Sequence, residues 1–153
     1  MIQLNNKEKL VKNKSLFALL LAISYQANAV VLISGSEASL PTASGIVQTR
    51  GNTRGPGISL VSPVNGESVK SPFDLKINFE ARGGVKIDPA SVSVTYLRSQ
   101  LVDLTPRLIA GVTPAGIALS RAEVPPGEHQ ISIRVKDAEG RESHAIIDLK
   151  VAP

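Results

Sequence analysis

The chain has 153 residues, a formal net charge of +4 from 17 Lys and Arg against 13 Asp and Glu, and no cysteine. That length fits one ordinary domain, and the missing cysteine excludes disulfides, thiolate chemistry, cysteine-ligated metals and a lipid-bearing N-terminal cysteine. The charge does not point to nucleic acid: removing Lys7, Lys9, Lys12, Lys14 and Glu8 from the count leaves 13 bases against 12 acids, and such a partner needs a clustered basic face.

Those four lysines are followed by the apolar run Leu16-Phe17-Ala18-Leu19-Leu20-Leu21-Ala22-Ile23 and by Ala27-Asn28-Ala29. A positive segment, a short apolar segment and a small-x-small site make a secretory signal over residues 1–29, with cleavage expected after Ala29. The alternative is an uncleaved membrane anchor. Val30-Val31-Leu32-Ile33 extends the apolar stretch toward the roughly 20 residues that span a bilayer, with Gln26 and Asn28 interrupting it. With cleavage the chain is expected to be periplasmic or secreted, and a membrane association is expected only if the segment stays uncleaved.

Residues 30–57 are expected to be a flexible linker. From Ser34 to Gly57 the composition is Ser, Thr, Gly, Ala and Pro with no sustained period, and it cannot bury a core. Arg50 and Arg54 within it are expected to be solvated. The exception to the tether reading is Val30 to Ile33, which could add as a strand to a neighbouring sheet and cause self-association.

The pattern changes at Ile58, where a domain over residues 58–153 begins. Ile58 and Leu60 alternate with polar neighbours, and Ser62-Pro63-Val64-Asn65-Gly66 supplies turn chemistry. Phe73, Leu75, Ile77, Phe79 and Ala81 then fall on one face and Asp74, Lys76, Asn78 and Glu80 on the other, which is a strand with one buried side. After Gly83-Gly84, Asp88-Pro89-Ala90-Ser91 resembles a single helical turn with Asp as cap and Pro at the first helical position. Val92, Val94 and Tyr96 form another inward set, and two weaker segments follow at Leu101 to Leu104 and Ile117 to Leu119. About seven short strands at roughly ten-residue intervals predict an all-β sandwich.

The last segment is specified most fully. If Ala138-Glu139-Gly140 is a three-residue hairpin loop with Gly140 in the left-handed region, Asp137 faces Arg141. Val135 then pairs with Ser143, Ile133 with Ala145, Ile131 with Ile147 and His129 with Leu149, all on one face. The other face pairs Lys136 with Glu142, Arg134 with His144, Ser132 with Ile146 and Gln130 with Asp148. A slip of one residue would invert both faces. Asp137 to Gly140 lacks the alternating oxygen ligands of a calcium loop and reads as a turn. His129 and His144, the only histidines, are expected on opposite faces and make a poor shared metal site.

Ser62 to Gly66, Ile87 to Val94 and Pro126-Gly127-Glu128-His129 running through Asp137 to Gly140 resemble the recurring stations of bacterial immunoglobulin-like domains. The resemblance spans Ile58 to Val151, about 60% of the chain. It implies an Ig-like β-sandwich, but with neither the cysteine pair nor the tryptophan of antibody-type members. Such domains host adhesion, spacing, chaperoning and ligand capture alike, so the likeness concerns fold more than function.

No G-x-S-x-G, H-E-x-x-H or phosphate loop accompanies the serines and acids, so no enzyme, catalytic residue, cofactor or metal is expected. The expected function is a non-catalytic extracytoplasmic module for protein interaction or spacing, whose partner is a protein of the cell envelope. The alternative is a small-ligand, glycan or metal-binding module on the same sandwich. Phe73, Phe79 and Tyr96 all point inward, which argues against an aromatic sugar platform. Contacts are expected at an edge strand or end loops. A second candidate surface is the outer hairpin face bearing Ser132, Arg134, His144 and Ile146.

Overall fold

The computed structural model describes residues 28–43, 45 and 54–153. The expected leader up to residue 27 and most of the segment between residues 44 and 53 lie outside the described residues. In chain order the elements are β1 (Val30–Val31), α1 (Gly35–Ala38), β2 (Gly57–Ser62), β3 (Ser68–Lys70), β4 (Phe73–Glu80), β5 (Ile87–Tyr96) and β6 (Val102–Asp103). There follow α2 (Thr105–Leu108), a 3-10 turn (Ile109–Gly111), β7 (Val112–Thr113), β8 (Gly116–Glu123), β9 (Gly127–Asp137) and β10 (Glu142–Ala152).

These strands form two mixed sheets of five. One runs β1-β8-β4-β2, with β7 also pairing β8, and the other runs β3-β10-β9-β5-β6. The protein is all-β, and its strands outnumber the seven or so expected because β1, β6 and β7 have two residues each. A two-residue strand shows no alternation and leaves no periodic signal.

The inward residues of the two sheets make one core. Leu75, Ile77 and Phe79 of β4 meet Val92, Val94 and Tyr96 of β5, Ile131, Ile133 and Val135 of β9, and Ile147 and Leu149 of β10. Period-two alternation creates this arrangement, since every second side chain of a strand points to the same face. Between β9 and β10 the register is the expected one at every pair from Lys136↔Glu142 to His129↔Leu149. Gly140 sits at φ +79°. Asp137 Oδ1 accepts the Glu139 and Arg141 amides at 3.0 and 2.9 Å, and Arg141 Nε donates to Asp137 Oδ2 at 2.7 Å. Burial pushes the Asp137 carboxyl up, but these donors outweigh it and hold the group below the usual aspartate range.

Two expectations are corrected. Asp88 to Ser91 is not a helical turn but part of β5, where the register against β9 shifts between Asp88 and Ser93. Asp88 Oδ1 accepts from Ala90 N at 3.0 Å and Ser91 Oγ accepts from Lys136 N at 2.8 Å. Side chains thus satisfy the backbone groups that the irregularity frees, and the Asp-Pro signal of a helix start serves a bulge instead.

The second correction concerns the linker, which does not begin at residue 30. Val30 and Val31 lie parallel to Ala122 and Glu123 of β8, and the Leu32 and Ile33 amides donate to Glu123 O at 2.9 and 3.3 Å. The Leu32 and Ile33 side chains are fully in the core. Ser34 and Glu37 form a reciprocal capping box on α1. The strand addition foreseen for Val30 to Ile33 therefore occurs within the chain. The composition is poor in apolar residues after Ile33, but two buried aliphatics and an ion pair anchor the arm.

Candidate functional site

That ion pair is bidentate. Arg107 of α2 donates through Nη2 to Glu37 Oε1 at 2.7 Å, and through Nη1 to Glu37 Oε2 at 2.9 Å and Leu32 O at 2.7 Å. The guanidinium bonds, joined by the Ser34 donors and opposed by partial burial, hold the Glu37 carboxyl at about 2. This cluster staples one end of the arm.

The other end of the arm reaches a polar depression of about 430 Å³ at the edge of the second sheet. Arg98, just beyond β5, lines it together with Thr42 of the arm, Glu128 and Gln130 of β9, and Asp148 and Lys150 of β10. The β9–β10 register places these last four as cross-strand pairs. Gln130 Nε2 donates to Asp148 Oδ1 at 2.9 Å, and Lys150 Nζ lies 3.5 Å from Glu128 Oε1. Arg98 is held by three donors: Nη1 to Thr42 Oγ1 at 3.1 Å, Nη2 to Glu128 O at 3.2 Å and Nε to the Tyr96 hydroxyl at 2.6 Å. Its guanidinium carbon lies 5.0 Å from the Tyr96 ring centroid, a cation–π distance.

Beneath the depression the polar chain continues into the core. The Tyr96 hydroxyl lies 2.8 Å from His129 Nδ1, and His129 Nε2 lies 2.8 Å from Pro125 O. A carbonyl only accepts, so Nε2 carries the proton in the neutral ring and Nδ1 accepts from Tyr96. Burial lowers the His129 pKa, the Pro125 carbonyl partly offsets this, and the Arg98 charge lowers it further.

The four residues named on the outer hairpin face do share that face, on the solvent side of β9 and β10. Arg134 and His144 are exposed and Ile146 is half-buried. Ser132 is not an open contact residue: it is 6% exposed, flanked by Thr95 of β5 and Ile146 of β10, and its Oγ lies 2.8 Å from His144 Nε2. His129 and His144 occupy opposite faces of the sheet, and among the described residues no group of three or more His, Cys, Asp or Glu could hold a metal ion. A second cleft of about 580 Å³, apolar and Pro-rich, opens beside β1 and is lined by Val31, Ile33, Pro72, Pro125, Pro126 and Pro153 among others.

No family model matches the chain, and no curated protein matches it. Among solved structures it is similar to the crystal structure of CopC from Methylosinus trichosporium OB3b, with a TM-score of 0.43 and 24% identity over 63% of this chain and 95% of that one. It is also similar to the crystal structure of an engineered protein, with a TM-score of 0.41 and 14% identity over 64% of this chain and 20% of that one.

Sequence reasoning missed Arg98 and the Tyr96–His129 link. One signal was available: a tyrosine and a histidine on inward faces each bring a polar group that needs a partner when buried. The arm cluster of Glu37 and Arg107 left no such signal, because both look like ordinary surface charges.

Proposed function

We propose that the protein is a non-catalytic, extracytoplasmic β-sandwich module that binds a small polar ligand in the Arg98 depression. The observation that carries this reading is the convergence of Arg98, Lys150, Glu128, Asp148 and Gln130 in one depression, offering both charge signs and an amide from three strands or strand ends. Such a set suits a zwitterionic small molecule. Arg98 is preorganised by its three donors, which lowers the ordering penalty of binding. The Glu128–Lys150 pair is different: at 80% and 48% side-chain exposure it is weakly coupled and easily opened for a ligand. The leader expected over residues 1–29 supports export.

Titration of the protein with free amino acids, dipeptides and neutral oligosaccharides, followed by amide NMR shifts, tests the reading. Zwitterionic compounds should move the Arg98, Gln130 and Lys150 signals, and Glu128→Ala together with Lys150→Ala should abolish the effect. Shifts caused only by oligosaccharides would replace the ligand class. No shift in this depression at millimolar ligand would remove the proposal.

A second reading is favoured by the exposed Arg134 and His144 beside half-buried Ile146: a cell-envelope protein docks on the outer hairpin face. Photocrosslinking from position 134, with identification of the product, tests it. A partner captured there and lost with Ile146→Asp supports this reading.

A further inference from the structure

The buried chain under the depression runs one way. Arg98 Nε–H donates to the Tyr96 oxygen, the Tyr96 hydroxyl donates to His129 Nδ1, and His129 Nε2–H donates to Pro125 O. Every donor has an acceptor only while the imidazole is neutral. An imidazolium carries protons on both nitrogens, so Nδ1 could no longer accept. The fully buried Tyr96 oxygen would then face N–H donors from two cations, and its own proton would lose its acceptor.

The surroundings offer little to neutralise that charge. From β5 and its end the ring meets Tyr96 and the Arg98 cation. Glu128 on its own strand and Asp148 on β10 stay anionic, but each stands one residue out of step with His129 and Leu149 and so leaves from the opposite face of the sheet, where they meet Lys150 and Gln130. From the arm comes Thr42, which is neutral, and from the β8–β9 connection the Pro125 carbonyl.

Arg98 is also what holds the far end of the arm. Thr42 pairs with Arg98 as an isolated bridge, Thr42 Oγ1 accepts from Arg98 Nη1 at 3.1 Å, and Ser99 N donates to Pro41 O at 2.8 Å. Residues 39–43 are exposed or half-buried, so little apolar contact backs these bonds. The near end is fixed separately by Leu32, Ile33 and the Glu37–Arg107 pair, whose hydrogen bonds go to Ser34, to Leu32 O and to each other.

We propose that His129 is an acid-operated latch: protonating its ring dislodges Arg98 and frees the Pro41–Thr42 end of the arm, while the sheets and the Leu32–Glu37 end stay in place. Release opens the Thr42 side of the depression. The latch does not depend on what, if anything, binds there.

The test is amide hydrogen exchange and ring titration by NMR on the full chain between about pH 8 and about pH 5. The Ser99 amide, which reports the bond to Pro41, should lose protection by at least about tenfold with the midpoint of the His129 ring. The Leu97 amide, bonded to Gln130 O at 2.9 Å within the sheet, should keep its protection. Tyr96→Phe should uncouple Ser99 from the ring, and His129→Gln, which retains polar donors and acceptors, should make Ser99 protection independent of pH. Constant Ser99 protection through the His129 titration would overturn the proposal. So would simultaneous loss at Ser99 and Leu97, which is global unfolding, or a His129 ring that stays neutral down to unfolding.

Discussion

Leu32 and Tyr96 are both fully buried, yet they are held for different reasons. Leu32 contributes apolar contact alone. Replacing it by alanine leaves a void in the core and should destabilise the protein by about 2–5 kcal/mol in urea unfolding. A mobile tether at this position would give a change near zero, so the measurement separates the two descriptions of residues 30–38. Tyr96 contributes a hydroxyl between a cation and a histidine. Tyr96→Phe keeps the ring but strands Arg98 Nε and His129 Nδ1, and should lower stability by about 1–3 kcal/mol. The inward direction of Tyr96 follows from alternation with Val92 and Val94. Its partner, 33 residues away, does not follow from any local pattern.

The β9–β10 hairpin and the β7–β8 turn each depend on a glycine with positive φ, with different expected sensitivities. At Gly140, φ is +79° and a Cβ would meet open space. Gly140→Ala therefore carries only backbone strain, about 1 kcal/mol. At Gly116, φ is +150° and a Cβ would run into the Ile77 carbonyl oxygen of β4. Backbone must move to admit it, so Gly116→Ala should cost at least about 3 kcal/mol. Parallel chemical denaturation of the two variants checks the ratio. The hairpin was legible because turn chemistry, alternation and opposite charges agree within one contiguous segment. The β7–β8 turn was not, since nothing in the local sequence reveals how closely β4 approaches it.

Across the whole molecule, acid should act in two stages. His129 has a folded pKa below its ordinary value, so the unfolded chain takes up the proton first. Stability is greatest above about 6.5 and declines as the pH falls below it. Glu37 at about 2, against 4.5 unperturbed, and Asp137, also lowered, likewise favour the fold while ionised. Their contribution is complete above the unfolded carboxylate range and is lost as the pH falls through about 4.5 toward 2. Glu37→Gln should remove part of that second stage, about 1–2 kcal/mol once solvent screening of the partly exposed pair is allowed for. Urea midpoints of the wild type, Glu37→Gln and His129→Gln measured across this range should assign each stage to its residue.

What the sequence determined by itself is what short-range periodicity encodes: the buried faces of β4, β5, β9 and β10, the register of the last hairpin and the all-β class. In each case burial, turn residues and charge point to the same arrangement over a few neighbouring residues. The arm, the Glu37–Arg107 staple and the line from Thr42 through Arg98 and Tyr96 to His129 were decided by tertiary structure. Their partners lie from 2 to 75 residues apart along the chain, and their side chains are ordinary surface or core types until packing brings them together. Long-range hydrogen bonds and ion pairs depend on position in space, and two-residue strands are too short to carry the period that would announce them.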